Sequence, residues 1–413
     1  MNELLNHVVV EWPTIIVLAS LSLLLAFGYT KYHASLLGQK SYTYRNLQAS
    51  IKTILHPGNL SIPGLLAERA RSNQRLVRAL QLSNTFVRDD PEVHKQFVSQ
   101  ARRLLNHAKQ HGWSNFQSLA VEAVDWYDKG ARISESECPF VSLVQNTTLV
   151  VVLAGLLHVE TPIDSFCHAN VTLVANNITT LWALSKKSES IPSSLLDDLS
   201  SHLRLLVPDE ETFPQPLNFV VPAWETLWRV VATTVAYAQQ NPLILEEFEY
   251  FHENPSEERF QKGKNSKLNV ESVVSEAMRL HPPSKHITRT RCRSWCPSSI
   301  TTVVGRVYAT MVYEKRVADI EKILRCDVWG TDGQVFRAER HHQSTPEQVE
   351  ALKFVFGHGP LRCVAASWAP IAAAVISGAI MAHLRRESYI LKPGRCIGGR
   401  EGWNGWEVRK GMN

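Results

Sequence analysis

A 3.6-residue apolar rhythm runs through most of this chain and limits its fold more than any other feature. Apolar side chains recur three or four positions apart over residues 65–82, 94–110 and 170–186, where Val174, Ile178, Leu181 and Leu184 form one stripe. That spacing gives a helix one apolar face and leaves charged residues for the other. Residues 141–159 are aliphatic on most sides and predict a more buried helix. Residues 220–240 predict a long helix opened by Pro222, since a missing N–H costs least in a first turn, and Pro242 closes it. A shorter helix is expected over 269–280, with Val270, Val273, Val274 and Ala277 on one face and His281, Pro282 and Pro283 stopping it. Residues 300–312, rich in Val and Thr, are strand-like. The expected class is mainly α with small β-sheets.

Composition narrows the function. A chain of 413 residues that is 44% hydrophobic and 20% charged can bury a large core, which excludes disorder and disulfide miniproteins. The net charge of +5 is small, and no dense basic run accompanies it, so no nucleic acid is expected as a partner. Seven scattered cysteines do not suggest a disulfide framework. Cys292 and Cys296 have no second pair to complete a zinc site.

Residues 13–29 contain no charged side chain. That length just reaches the roughly 17 residues a helix needs to cross a bilayer. Trp12 and Tyr29 stand where interfacial aromatics belong, with Glu3 and Glu11 before the run and Lys31, Lys40 and Arg45 after it. The charge order places the bulk of the chain in the cytosol, and it is the reverse of a cleaved signal peptide. The expectation is an N-terminal anchor over 1–33, its helix at about 12–29, and then one domain over 34–413.

Four segments suggest chemistry. Cys363 lies behind Gly357 and Gly359, which permit a tight loop, and before Val364, Ala365 and Ala366, which are expected to begin a helix. A helix N-terminus there favours thiolate, a ligand for a soft or borderline metal. Glu276 and Arg279 stand three apart on one helix face, and Arg340 is placed to bring a second guanidinium to the same carboxylate. Glu225 and Thr226 put a carboxylate and a hydroxyl side by side within the long helix.

In this order, the ET pair at 225–226, EAMR with HPP from 276, VWGTDGQVFRAER at 328–340 and FGHGPLRC at 356–363 resemble cytochrome P450, specifically the membrane-anchored fungal type. The resemblance runs over roughly residues 140–413. It implies haem b, with Cys363 as the axial thiolate ligand to iron, an arrangement general to that family. It implies that Glu276, Arg279 and Arg340 form a structural triad, that Phe356 packs beside the thiolate, and that Arg289 and Arg362 belong to the haem-binding set. Glu225 and Thr226 resemble the acid–alcohol pair that supplies protons during oxygen activation. The implied reaction inserts one oxygen atom into a hydrophobic small molecule in secondary metabolite biosynthesis. Electrons would come from an NADPH–cytochrome P450 reductase at the endoplasmic reticulum membrane.

The sequence departs from the family's pattern in several places. Leu361 stands where Arg usually precedes the ligand by two, Ala365 replaces a Gly, Pro222 and Ala223 replace Ala-Gly, and His341 replaces a Phe. Leu227 stands where a second Thr is usual, the N-terminal third has no Trp-x-x-x-Arg clamp, and the chain is short before Pro222. These departures leave two alternatives open: a non-catalytic P450-like protein, or a haem-thiolate isomerase or dehydratase that needs no reductase.

Overall fold

The computed structural model describes residues 43–133, 137–264, 267–292 and 313–411. The anchor helix, the strand-like run 300–312 and Cys296 lie outside the described residues. Among the described residues no helix is long and apolar enough to cross a membrane.

Helices α1 (Tyr44–Leu55), α2 (Ile62–Leu80) and α3 (Pro91–Ala131) come first. Asp90 caps α3 by accepting from the Glu92 amide at 2.8 Å, and Pro91 fits the first turn, where no N–H is needed. The α3 helix runs well past the expected 94–110 because its periodicity is interrupted at Gly112, whose φ of 78° bends it. Beyond that bend Phe116, Ala120, Ala123, Val124 and Tyr127 are buried. Strand β1 (Cys138–Pro139) leads into α4 (Phe140–Val151), in which every residue from Leu143 on is buried, and then into a π-helical turn, Val152–Leu156.

Next come α5 (His168–Leu184) and α6 (Ser193–Leu206). The α6 helix has no counterpart among the expected elements, yet Leu199, Leu203 and Leu206 are its buried face. The α7 helix (Leu217–Ala238) corrects the expectation for Pro222, which lies inside it rather than opening it. A helical proline cannot bond the carbonyl four residues back, and here the Asn218 carbonyl instead accepts from Asn84 Nδ2 at 2.8 Å. Pro242 lies in the first turn of α8 (Pro242–Glu253), beyond the end of α7.

The remaining helices are α9 (Glu257–Gln261), α10 (Val270–Leu280), α11 (Ile320–Ile323), α12 (Pro346–Lys353) and α13 (Ala369–Arg386). Asn269 opens α10 with a capping box completed by Ser272, and Thr345 does the same for α12 with Gln348. Strands β2 (His286–Cys292) and β3 (Tyr313–Asp319) form an antiparallel pair in which Arg289 faces Arg316. Strands β4 (Tyr389–Lys392) and β5 (Glu407–Lys410) join β1 in the order β1-β5-β4. At the centre α13 packs on α3, α7, α8 and α10. Its Ala372, Ala373, Ala374 and Ala379 are buried, so a helix of small residues lets four neighbours approach and fixes the loop that precedes it.

Candidate functional site

Two short 3-10 turns, Phe354–Phe356 and Gly359–Leu361, shape the loop before Cys363. Gly357 and Gly359 have φ of 78° and 74°, a region that side chains disfavour. A Cβ on Gly359 would also stand 2.6 Å from His56 Cβ at the end of α1, so that glycine is required twice over. The Cys363 amide donates to the Phe356 carbonyl at 2.9 Å and closes the loop. Cys363, Phe356, Leu361 and Arg362 all line one cavity of about 1410 Å³.

Two expectations about this loop are corrected. Residues 364–368 form turns and α13 begins at Ala369, not at 364–366. The thiol is also shifted toward the neutral form. Desolvation by the surrounding protein pushes its pKa up, and the Ala365 amide and the Arg362 charge do not offset this. Desolvation is the main cause of that shift, and the later helix start adds no help, since a helix's terminal charge fades within about one turn.

Glu276 on α10 gathers an ion cluster. Arg279 donates from Nε to Oε2 at 2.7 Å and from Nη2 to Oε1 at 2.8 Å. Arg340 Nε donates to Oε1 at 2.9 Å, and the Arg337 amide at 3.0 Å. His341 Nε2 lies 2.9 Å from Oε2, so the histidine that stands in a family Phe position becomes a further partner of the carboxylate. Burial alone would raise the Glu276 carboxyl, but hydrogen bonds from Arg279 and His341 and the Arg279 charge outweigh it and hold the pKa at about 2. Arg279 also donates to the carbonyls of Leu324 and Gly333, and Arg340 to that of Trp329. The cluster therefore ties the segment before α12 to α10.

Arg289 on β2 is 5% exposed and Arg69 on α2 is 6% exposed; both residues line the cavity, and the Nε of each is buried with no protein partner. Burial lowers Arg69 to about 9, helped by the Arg289 charge, and lowers Arg289 to about 10 against a partly offsetting Glu68. Two buried guanidiniums with unused donors form a cradle for a dianion. The two carboxylates of a prosthetic group such as haem would suit these two guanidiniums, and Cys363, on the same cavity, would be its metal ligand. Arg69 was missed in the sequence, although a signal was present. It falls four residues after Leu65 and seven before Leu76, on the apolar stripe of α2 where a charge needs a reason.

Glu225 and Thr226 both line the cavity from α7, but they are not equivalent. Glu225 is 2% exposed and ion-paired with Arg229 at 2.8 Å and with Arg400. Arg229 also donates to the carbonyls of Glu225 and Pro283. Thr226 is exposed to the cavity. Arg400 comes from the glycine-containing stretch 398–402, which shows no periodicity that could have revealed its partner.

No family model matches the sequence, and no curated protein matches it. Among solved structures, the chain is similar to the heme domain of cytochrome P450DA, with 14% identity over 84% of this chain and 85% of that one, at a TM-score of 0.57. A mutant of the same heme domain gives 14% identity, 84% coverage of both chains and a TM-score of 0.56. P450BioI, in complex with an acyl carrier protein ligated to hexadec-9Z-enoic acid, gives 16% identity, 89% and 91% coverage and a TM-score of 0.51. The chain has the cytochrome P450 fold.

Proposed function

We propose that this chain is a haem-thiolate monooxygenase that inserts one oxygen atom into a hydrophobic small molecule. The observation that carries the reading is Cys363, in a loop shaped by two positive-φ glycines, sharing one cavity with the unpaired Nε atoms of Arg69 and Arg289. Cys363 would hold the iron of haem b, and Arg69 and Arg289 its two carboxylates, with Phe356 and Arg362 beside it. Bound haem supplies dioxygen activation, to which a thiolate ligand contributes electron density.

The chain's own residues then have separate tasks. Glu276, Arg279, Arg340 and His341 hold the segment leading into the cysteine loop. Glu225 is a positioning residue, because its pair with Arg400 fastens the C-terminal stretch to α7, while Arg229 ties the same helix to the Pro283 carbonyl. The neighbouring Thr226 hydroxyl is then the member of the acid–alcohol pair that can hold a water or pass a proton at the cavity. The reading extends to electrons from an NADPH–cytochrome P450 reductase, a fungal secondary metabolite as substrate, and attachment to the endoplasmic reticulum membrane through residues 1–33.

The test is the absorption spectrum of the reduced, carbon monoxide-bound full chain. A thiolate-type Soret band that is lost in a folded Cys363→Ala variant is expected, with turnover that requires NADPH and reductase. Folded protein that takes up no haem would refute the reading, and reductase-independent turnover would point to an isomerase or dehydratase.

A further inference from the structure

Twelve lysines and arginines line the cavity, against two glutamates. Arg69 and Arg289 are accounted for by the haem carboxylates, but a second group of cations is not. Arg75 stacks over the Trp182 ring with its guanidinium carbon 4.9 Å from the centroid, and Arg400 stacks over the same ring at 4.7 Å. Arg400 and Arg229 both pair with Glu225. Lys186, four residues beyond Trp182, lines the same cavity and is exposed; partial desolvation and the charges of Arg400, Arg75 and Arg229 push it toward its neutral form, with Glu225 partly offsetting them. Four cations thus share a single carboxylate, Glu225, which offsets only part of their mutual repulsion. Glu401, the other lining carboxylate, is exposed.

We infer that this cluster is a substrate subsite, and that the substrate is a hydrophobic acid whose carboxylate is received by Arg75, Lys186 and Arg400. The inference rests on the haem reading for where the chemistry occurs, and on the cation cluster for what is bound. Arg229 contributes charge without a contact, since its donors are occupied by Glu225 and Pro283. Both guanidiniums lie over Trp182, Arg75 giving one N–H to Ser185 and Arg400 one to Glu225, which leaves each with further donors for a carboxylate. The remaining wall includes Leu76, Phe97, Leu105, Leu156, Phe219 and Val230, which suits an apolar body and disfavours a polyanion. A volume of about 1410 Å³ exceeds the roughly 300–1,000 Å³ of a single-ligand pocket, so a prosthetic group and a substrate can share it.

Matched probes test the inference on the haem-loaded full chain. Dodecanoate and its methyl ester form one pair, 1-naphthoate and its methyl ester another, each titrated by calorimetry and by quenching of tryptophan fluorescence at low salt. In at least one pair the acid is expected to bind about tenfold tighter than its ester, with the preference shrinking as salt rises. Arg75→Gln and Lys186→Gln should each remove most of that preference while leaving ester binding and the haem spectrum unchanged. Equal affinities within both pairs, or no binding of any probe, would overturn the inference and leave the haem reading standing. A retained acid preference in protein that takes up no haem would do the reverse.

Discussion

Glu276→Gln is the substitution with the most predictable cost. The side chain is fully buried and accepts from Arg279 twice, from Arg340, from the Arg337 amide and from His341. An amide keeps one acceptor oxygen and turns the other position into a donor facing donors. It also leaves two guanidiniums buried without their counter-charge, and breaking a buried pair in this way costs about 3–5 kcal/mol. Linkage gives a second estimate. A carboxyl that titrates at about 2 when folded and at 4.5 otherwise favours folding by about 3 kcal/mol at neutral pH, taking about 1.36 kcal/mol for each tenfold. Because the folded pKa is depressed, that stabilisation is complete above the unfolded value of 4.5 and is lost as pH falls through about 2. Urea unfolding followed by circular dichroism at several pH values is the assay. The variant should be about 3 kcal/mol less stable than the wild type at pH 7, with the gap narrowing steadily below about pH 4.5. A gap under about 1 kcal/mol at pH 7, or one indifferent to pH, would show that the five contacts do not act as a charge cluster.

Arg289→Gln should act in opposite directions on the two forms of the protein. Without haem it removes a buried charge with an unpaired Nε, so stability should hold or rise; with haem it removes a charge-assisted contact worth about 1.5–3 kcal/mol, so transfer of haem to a scavenging apo-globin should speed up about tenfold or more. Gly359→Ala should lower the melting temperature and speed the same transfer. It imposes a side chain at φ 74° and against His56 Cβ at 2.6 Å, and the backbone cost alone is about 1–2 kcal/mol; a melting temperature equal to the wild type's would show that α1 does not press on the loop.

How much of this was legible in the sequence depended on whether a signal was local. The α10 helix was readable because Asn269, the valine stripe and the prolines after it all lie within a short stretch, and its Glu276 and Arg279 stand three apart. Arg340 comes from 64 residues away in sequence, and what made it legible was its motif. The length of α3 was hidden because Gly112 breaks the register of the apolar stripe, although the chain stays helical on both sides. The start of α13, five residues later than expected from Val364, was hidden because the apolar run 364–366 continues as turns to Trp368, and Pro370 suits the first turn of the helix that follows. Arg400 had no legible partner, since its contact with Glu225 crosses 175 residues and its own stretch has no repeat.

Pro222 shows how a departure from the family pattern connects to the candidate site. Placing proline inside α7 frees the Asn218 carbonyl, and Asn84 takes it at 2.8 Å while the Ser83 amide donates to Asn218 Oδ1 at 3.0 Å. The segment after α2 is thereby clamped to α7 at two consecutive residues. The next residue, Thr85, accepts from Arg69 Nη2 and contacts His94 Nδ1 at 2.8 Å. Arg69 lines the cavity, and its Nε is buried without a protein partner. Pro222 on α7 and Arg69 on α2, which both line the cavity, are therefore joined by one run of hydrogen bonds through residues 83–85. The helix that lines the cavity is thus linked to Arg69 by hydrogen bonds that each use at least one side chain, a route that needs no Trp-x-x-x-Arg motif.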